Sequence, residues 1–365
     1  MQGHPLLVDS ARESVRHWTF GCLNCEAGQP FETIIRFEFR LRGGDGVDYD
    51  DTSVTMDLPG LVTITASPRK CDHCPVETPD WCKALPHPEY KSLHRVKISR
   101  SDPDPWFEVY KVAADTYAIY EPHQSEEVIS YLILGKQKTV LFDTGMGISD
   151  IKQVVSELTR LPIIVLNSHT HNDHVGGNWQ FRTVYSMDTD FSRKNAKGSV
   201  EDAQEEIAPG EICGNLPQSF NGRDYRTQPW TISQYIRDGE KLDLGGRTVE
   251  VLATPGHTPD AICLFDRANG LLFTGDTYYP AAIWLYRPET NLDEHAKSIQ
   301  RLAALAPQVK LVLGAHNIPV APPSVLPELV QAFADLPTGK ASCKSDKPGR
   351  QVCTVGKFSF LLRTQ

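Results

Sequence analysis

The sequence predicts a mixed α/β protein in which β-sheets stack centrally and helices lie outside. Three observations carry this. Short β-branched and aromatic runs come at hairpin spacing from residue 106 onward. Strands are followed by strand–helix alternation, and that order occurs twice. The run Pro162 to Leu166 (PIIVL) is continuously apolar, which suits a strand buried on both faces. Residues 1–105 read differently, as an extra N-terminal β-rich, cysteine-containing module, so the expected division is 1–105 and 106–365.

In the first part, Phe31 to Leu41 and Leu61 to Ala66 are strand-like, and the acidic, glycine-rich stretch Gly43 to Asp51 between them is a loop. Residues 83–105, rich in proline and charge, are taken as a linker. In the second part, Phe107 to Val112, Thr116 to Tyr120, Ile129 to Leu134 and Thr139 to Phe142 are four successive strands. Apolar residues at 148, 151, 154, 155 and 158 predict a helix over Ile148 to Leu161. Further strands are expected on either side of Gly245-Gly246, over Ala261 to Phe265, Gly270 to Phe273 and Val309 to Leu313, and a closing one over Phe358 to Leu362. Asp293 to Leu305 and Pro323 to Leu336 are helices.

Composition sets the outer limits. The chain has 365 residues, 40% hydrophobic and 23% charged, enough to bury a core of useful size. A net charge of −9 argues against a protein that tracks nucleic-acid phosphates. No apolar run approaches the roughly 20 residues of a membrane span. Met1 to Asp9 shows neither a basic n-region nor an apolar h-region, so a cytoplasmic location is expected. The expected partner is a small-molecule substrate, with a second copy of the chain as the candidate protein partner. Neither nucleic acid nor membrane is expected.

The segment Leu166 to Gly177 (LNSHTHNDHVGG) follows the buried strand directly and packs three histidines and one aspartate into six residues. Imidazole and carboxylate are usual zinc ligands. In extended chain His169 and His171 face the same side, because side chains alternate with a period of two. Asp173 and His174 fall where the chain turns toward a helix and can face a second centre. Gly176-Gly177 permits close backbone approach. Three more ligand-type residues end strand-like runs: His257 in TPGHT, Asp276 in TGDT and His316 in GAH. One such histidine alone would be ordinary structure or surface. The whole set, in order at strand ends, is hard to assign to packing.

HTHNDHVGG, then PGHT, GD and GAH, resembles the metallo-β-lactamase superfamily over roughly residues 106–365. The resemblance implies a four-layer αβ/βα sandwich with two metal ions, expected to be zinc, at one edge of the sheets. It implies that His169, His171 and His257 bind the first metal, that Asp173, His174 and His316 bind the second, and that Asp276 bridges them. Asp143, in FDTG, resembles the family's early motif, whose carboxylate supports the ligand shell; a turn residue is the alternative. The expected enzyme is a metal-dependent hydrolase whose metal-bound hydroxide attacks a carbonyl substrate, with Asp173 orienting the nucleophile or moving a proton. Tyr279 resembles a tyrosine that lactonase-like members use to bond the substrate carbonyl; packing of the pocket wall is the alternative. Trp284 and Tyr286 either line an apolar pocket or pack elsewhere.

The resemblance narrows the substrate to a lactone, ester, thioester or β-lactam. His171 is intact, unlike in flavodiiron-like members, and His174 replaces the arginine of the secreted β-lactamases. Asn178 completes the glyoxalase II form of the first motif, although the 49 residues after His316 are short for that enzyme's substrate domain. Lys194 to Tyr235, long and polar, is expected to form a lid or substrate loop. The alternatives are a phosphodiesterase or nuclease of the same fold and a non-catalytic metal-binding regulatory protein.

Five of the nine cysteines precede residue 83. Cys22, Cys25, Cys71 and Cys74, two CxxC pairs, form a candidate structural zinc site, with Cys82 or His73 as substitute ligands and free or disulfide-linked thiols as the alternative.

Overall fold

The computed structural model describes residues 36–41, 53–57, 61–66, 78–98, 106–208 and 210–364, and divides the chain into two compact units, Met1–Glu77 and Thr78–Gln365. In the first unit β1 (Arg36–Leu41), β2 (Ser53–Asp57) and β3 (Leu61–Ala66) form one sheet. β3 lies centrally, parallel to β1 and antiparallel to β2. The candidate zinc ligands Cys22, Cys25, Cys71 and Cys74 lie outside the described residues.

The second unit begins ahead of the expected boundary at residue 105. β4 (His94–Val96), read as linker, pairs with β5 (Glu108–Ala113). Tyr90 is buried against Tyr110 and Tyr120, with ring centroids 4.7 and 4.6 Å away. Cys82 forms a disulfide with Cys213, 131 residues on, so it is not a spare zinc ligand. A second disulfide joins Cys343 and Cys353.

From β4 and β5 the first large sheet continues through β6 (Thr116–Tyr120), β7 (Ile129–Leu134), β8 (Thr139–Phe142), β9 (Ile163–Leu166), β10 (Val184–Met187) and β11 (Gln234–Ile236), in sequence order across eight strands. The second sheet is β12 (Lys241–Asp243), β13 (Thr248–Ala253), β14 (Ile262–Asp266), β15 (Leu271–Gly275) and β17 (Leu311–Gly314). A third sheet joins β16 (Ala282–Leu285) to β20 (Phe358–Arg363), β19 (Arg350–Val355) and β18 (Ser342–Lys347).

The period of two explains the layers. Tyr131, Phe142 and Leu166 of the first sheet share a core with Val251, Leu264 and Phe273 of the second. Their neighbours Leu132, Leu141 and Val165 point the other way and bury against Ile151, Val154 and Val155 of the helix Ile151–Leu158. Leu252, Phe265 and Leu272 face outward from the second sheet onto the helices Leu292–Ala303 and Val325–Asp335 and onto Phe358 and Phe360. This is the αβ/βα sandwich the sequence predicts. Strands buried on both faces read as continuous apolar runs, as PIIVL does.

Arg247 ties the two large sheets. Its Nε donates to Asp266 Oδ2 at 2.7 Å, while its Nη atoms reach the carbonyls of Asp115 and Leu134 and the hydroxyl of Thr116. No described helix is long and apolar enough to cross a membrane.

Candidate metal centre

The functional side chains hang from strand ends. β9 stops at Leu166, a bent loop over residues 167–171 follows, and the short helix Asn172–Val175 begins after His171. His257 lies in the loop between β13 and β14, Asp276 follows β15, and His316 follows β17. Two glycines make this geometry possible. A Cβ on Gly176 would meet Met146 O at 2.1 Å, so only glycine lets the helix press against the β8 loop. Gly256, at φ +143°, brings the His257 loop against the backbone of His295, 2.3 Å from where a Cβ would stand.

Three imidazoles converge. His169 Nε2 lies 2.9 Å from His171 Nδ1, and His257 Nε2 lies 3.2 and 3.1 Å from those two atoms. Each ring's other nitrogen is bonded outward. His257 Nδ1 donates to Trp284 O at 2.7 Å, His171 Nε2 to Glu289 Oε1 at 2.7 Å, and His169 Nδ1 to Ser168 Oγ at 3.1 Å. With the protons placed there, the three inward nitrogens are bare lone pairs aimed at one point, an arrangement that repels unless a cation sits among them. Zinc–nitrogen bonds of about 2.0–2.1 Å at tetrahedral angles would set such nitrogens about 3.3 Å apart.

A second group adjoins the first. His174 Nδ1 donates to Asp143 Oδ2 at 3.0 Å and His316 Nδ1 to Glu126 O at 2.6 Å, again leaving Nε2 inward. His174 Nε2 lies 2.8 Å from Asp173 Oδ2, and His316 Nε2 lies 3.7 Å from that oxygen. Asp276 stands between the groups. Its Oδ1 is 3.4 Å from His174 Nε2 and 3.1 Å from His316 Nε2, and its Oδ2 is 3.5 Å from His257 Nε2. The sets His169–His171–His257, His169–His174–Asp276 and Asp173–His174–His316 each bring their ligand atoms close enough to hold one ion. Asp143, at φ +68°, also accepts from Ser168 N at 2.6 Å, so it orients His174 and the strand end together.

The charge balance fits cations. Burial pushes the Glu121 carboxyl up to about 7, and Glu206 likewise to about 7. Burial opposes ionisation of Asp173 too, yet His174 and His316 hold it down at about 2. Burial, aided by His171, drives the His257 imidazole down to about 4 despite Asp276. For His174 burial disfavours the charged form, but Asp173, Asp276 and Asp143 outweigh it and raise its pKa. Among the described residues, no lysine or arginine pairs with Asp173 or Asp276. Buried carboxylates facing bare imidazoles are a donor set suited to divalent metal.

Sequence reasoning did not single out several residues here. Glu289 orients His171, Asp260 accepts from Thr170 and Thr258, and Glu126 and Glu206 line a small cavity of about 20 Å³ over Asp173, His257 and Asp276. Nothing in a single sequence marks them except placement beside motif residues, as Asp260 in PGHTPD. The Tyr279 hydroxyl is engaged by backbone. It donates to Ala282 O at 2.9 Å and accepts from Trp284 N at 3.1 Å, and its ring lies 4.7 Å from that of His316. Its contacts are those of a wall that positions His316. Trp284 lines the small cavity, whereas Tyr286 packs beneath Arg350 at 4.8 Å.

The human acyl-coenzyme A thioesterase MBLAC2 is 25% identical over 200 residues, covering 51% of this chain and 71% of that protein. The hydroxyacylglutathione hydrolase of Aeromonas hydrophila is 27% identical over 191 residues, covering 51% of this chain and 60% of that one. A solved metallo-beta-lactamase from Pontibacter korlensis is 20% identical, with 63% of this chain and 99% of that one covered at a TM-score of 0.47. The family model of the metallo-beta-lactamase superfamily matches residues 127–316, just over half of the chain and the span that contains all seven inward-facing histidines and aspartates. The chain belongs to the metallo-beta-lactamase superfamily and is a hydrolase of that superfamily.

Proposed function

We propose that this chain is a dinuclear zinc hydrolase of carbonyl substrates and that its substrate is a thioester. The observation that carries the metal assignment is the set of five imidazoles held by bonds on their far sides so that three inward nitrogens face one another and two face buried carboxylates. His169, His171 and His257 would hold one ion, Asp173, His174 and His316 the other, with Asp276 between. Bound there, a zinc pair supplies Lewis acidity and lowers the pKa of water toward neutrality. The thioester reading is supported by similarity to an acyl-coenzyme A thioesterase and a hydroxyacylglutathione hydrolase.

The chain's own residues then have defined tasks. Asp173, held ionised, orients the attacking water through its carboxylate and accepts a proton from it. The small cavity leaves space on the order of one water, which limits competing solvent. Tyr279 keeps His316 in place by packing. The reaction balances simply: a carbon–oxygen bond forms, the carbon–sulfur bond breaks, and one water proton ends on the thiol while the acid ionises to solvent.

The test is turnover of thioesters, lactones, esters and β-lactams by zinc-loaded protein. The expected result is thioester hydrolysis that is lost in Asp276→Ala. Full activity of Asp276→Ala on the best substrate would overturn the metal assignment, and preference for another carbonyl class would overturn the thioester.

A further inference from the structure

A cleft of about 430 Å³ opens beside the metal groups and shares His171, Asn172 and Arg287 with the small cavity over them. Its size is in the ordinary range for small-molecule sites. Three cations line it, two from one stretch of chain and one from another. Lys194 comes from the last turn of the helix Asp190–Asn195, Lys197 from the turn that follows, and Arg287 from the loop before Leu292. The neighbouring Arg193 is spent on Asp188 and Asp190, but Lys194 and Lys197 have no ion-pair partner among the described residues. Of the two lining acids, Asp202 and Glu289, the latter is already engaged by His171. Phe191 supplies an apolar wall, its ring 5.8 Å from His171. In a chain of net charge −9, cations gathered at the mouth of the metal centre call for an anionic ligand.

We infer that this cleft binds the thiol half of the substrate through phosphate or carboxylate groups carried on that thiol, with Lys194, Lys197 and Arg287 as specificity-determining residues. The inference rests on the thioester reading above. An uncharged lactone or ester would leave Lys194 and Lys197 without an anionic partner in the ligand, whereas Arg287 already faces Glu289, Glu205 and Glu206, and an acyl chain would gain nothing from the lysines. Ammonium and guanidinium groups recognise phosphate and carboxylate oxygens alike. The shared chemistry is an anionic handle, whether the phosphates of coenzyme A or the carboxylates of glutathione.

The test compares acetyl-coenzyme A, S-acetylglutathione and neutral S-acetyl-N-acetylcysteamine, which carry the same acyl group, on the zinc-loaded full chain. Wild type should favour at least one anionic thioester over the neutral one by about tenfold or more in kcat/KM. The double variant Lys194→Ala, Lys197→Ala should lower that ratio about tenfold, chiefly through KM, and added salt should lower it in wild type. The anionic substrate with the larger ratio identifies the handle. Binding of coenzyme A and of glutathione, measured by calorimetry without turnover, should weaken in parallel in the variant. If the neutral thioester is hydrolysed as well as the anionic ones, or the variant leaves the ratio unchanged, this inference is overturned while the thioester reading stands. If none of the three is hydrolysed, the thioester reading fails instead. Unaltered calorimetric affinity in the variant would also overturn the role of the lysines.

Discussion

His171 Nε2 donates to Glu289 Oε1 across 2.7 Å, and this one bond decides which nitrogen of His171 turns inward toward His169 and His257. The carboxylate comes from a loop 118 residues away in sequence, so the imidazole is fixed from outside its own motif. Carboxylate partners of ligand histidines typically change metal affinity or activity by about 10–100-fold when removed. Glu289→Ala should therefore weaken zinc binding by about that factor, and Glu289→Gln, which keeps an acceptor oxygen, by less. Competition with a chromogenic chelator measures both. Unaltered affinity in Glu289→Ala would show that His171 needs no such partner.

Asp276 is placed to touch both groups, with Oδ1 toward His174 and His316 and Oδ2 toward His257. On the proposed two-metal reading, its replacement by alanine would remove a shared ligand and leave the imidazole nitrogens around it without their carboxylate. If wild type holds two zinc ions as proposed, metal content should fall to about one or fewer per chain, with activity falling by at least about a hundredfold. Elemental analysis of the purified variant reads this directly. Retention of two ions would remove Asp276 from the bridging position.

Much of this centre is legible in the sequence because of where ligands sit. His169, His171, Asp173 and His174 follow one buried strand, and each later ligand follows a strand whose apolar run marks its end. Glu289 and Glu206 are not legible, since their roles arise from loops that fold back over the site without a local pattern. The same limit explains other differences. β18 is exposed along its whole length, so it has no apolar face to alternate. β16 is a four-residue strand whose parallel partner, β20, is far away in sequence. β4 lies in a proline- and charge-rich stretch, and only its pairing with β5 makes it a strand. Cys82 sits among the N-terminal cysteines by sequence but pairs with Cys213 in space.

The Arg247–Asp266 pair lies within the second sheet in near-complete burial, at 2.7 Å, and holds the guanidinium that reaches across to the first. Asp266→Asn would leave the guanidinium buried without its counter-charge, although its bonds to Asp115 O, Leu134 O and Thr116 Oγ1 would persist. Removing one member of a buried ion pair typically costs about 3–5 kcal/mol. Urea unfolding should show a loss of this size with little change in slope. A loss below about 1 kcal/mol would mean that the backbone acceptors alone satisfy Arg247.

His295 carries the clearest pH signature outside the metal groups. It lies fully buried on the helix Leu292–Ala303, packed 5.2 Å from Phe333, and neither ring nitrogen has a hydrogen-bond partner among the described residues. Burial, aided by the nearby His257, pushes its pKa from 6.5 down to about 3. The unfolded chain therefore binds a proton at this residue between those values and the folded chain does not, so stability falls as pH drops below about 6.5. The slope is at most about 1.4 kcal/mol per pH unit, or about 2 kcal/mol lost by pH 5 from this residue alone. His295→Leu removes the titrating group while keeping an apolar side chain of similar reach. The decline in unfolding free energy between pH 7.5 and 5 should then be smaller in the variant than in wild type by about that amount. The histidines of the metal groups are common to both proteins, so their contribution cancels in the difference apart from the coupling of His257 to His295. Parallel pH profiles would show that His295 takes up a proton in the folded protein as readily as in water.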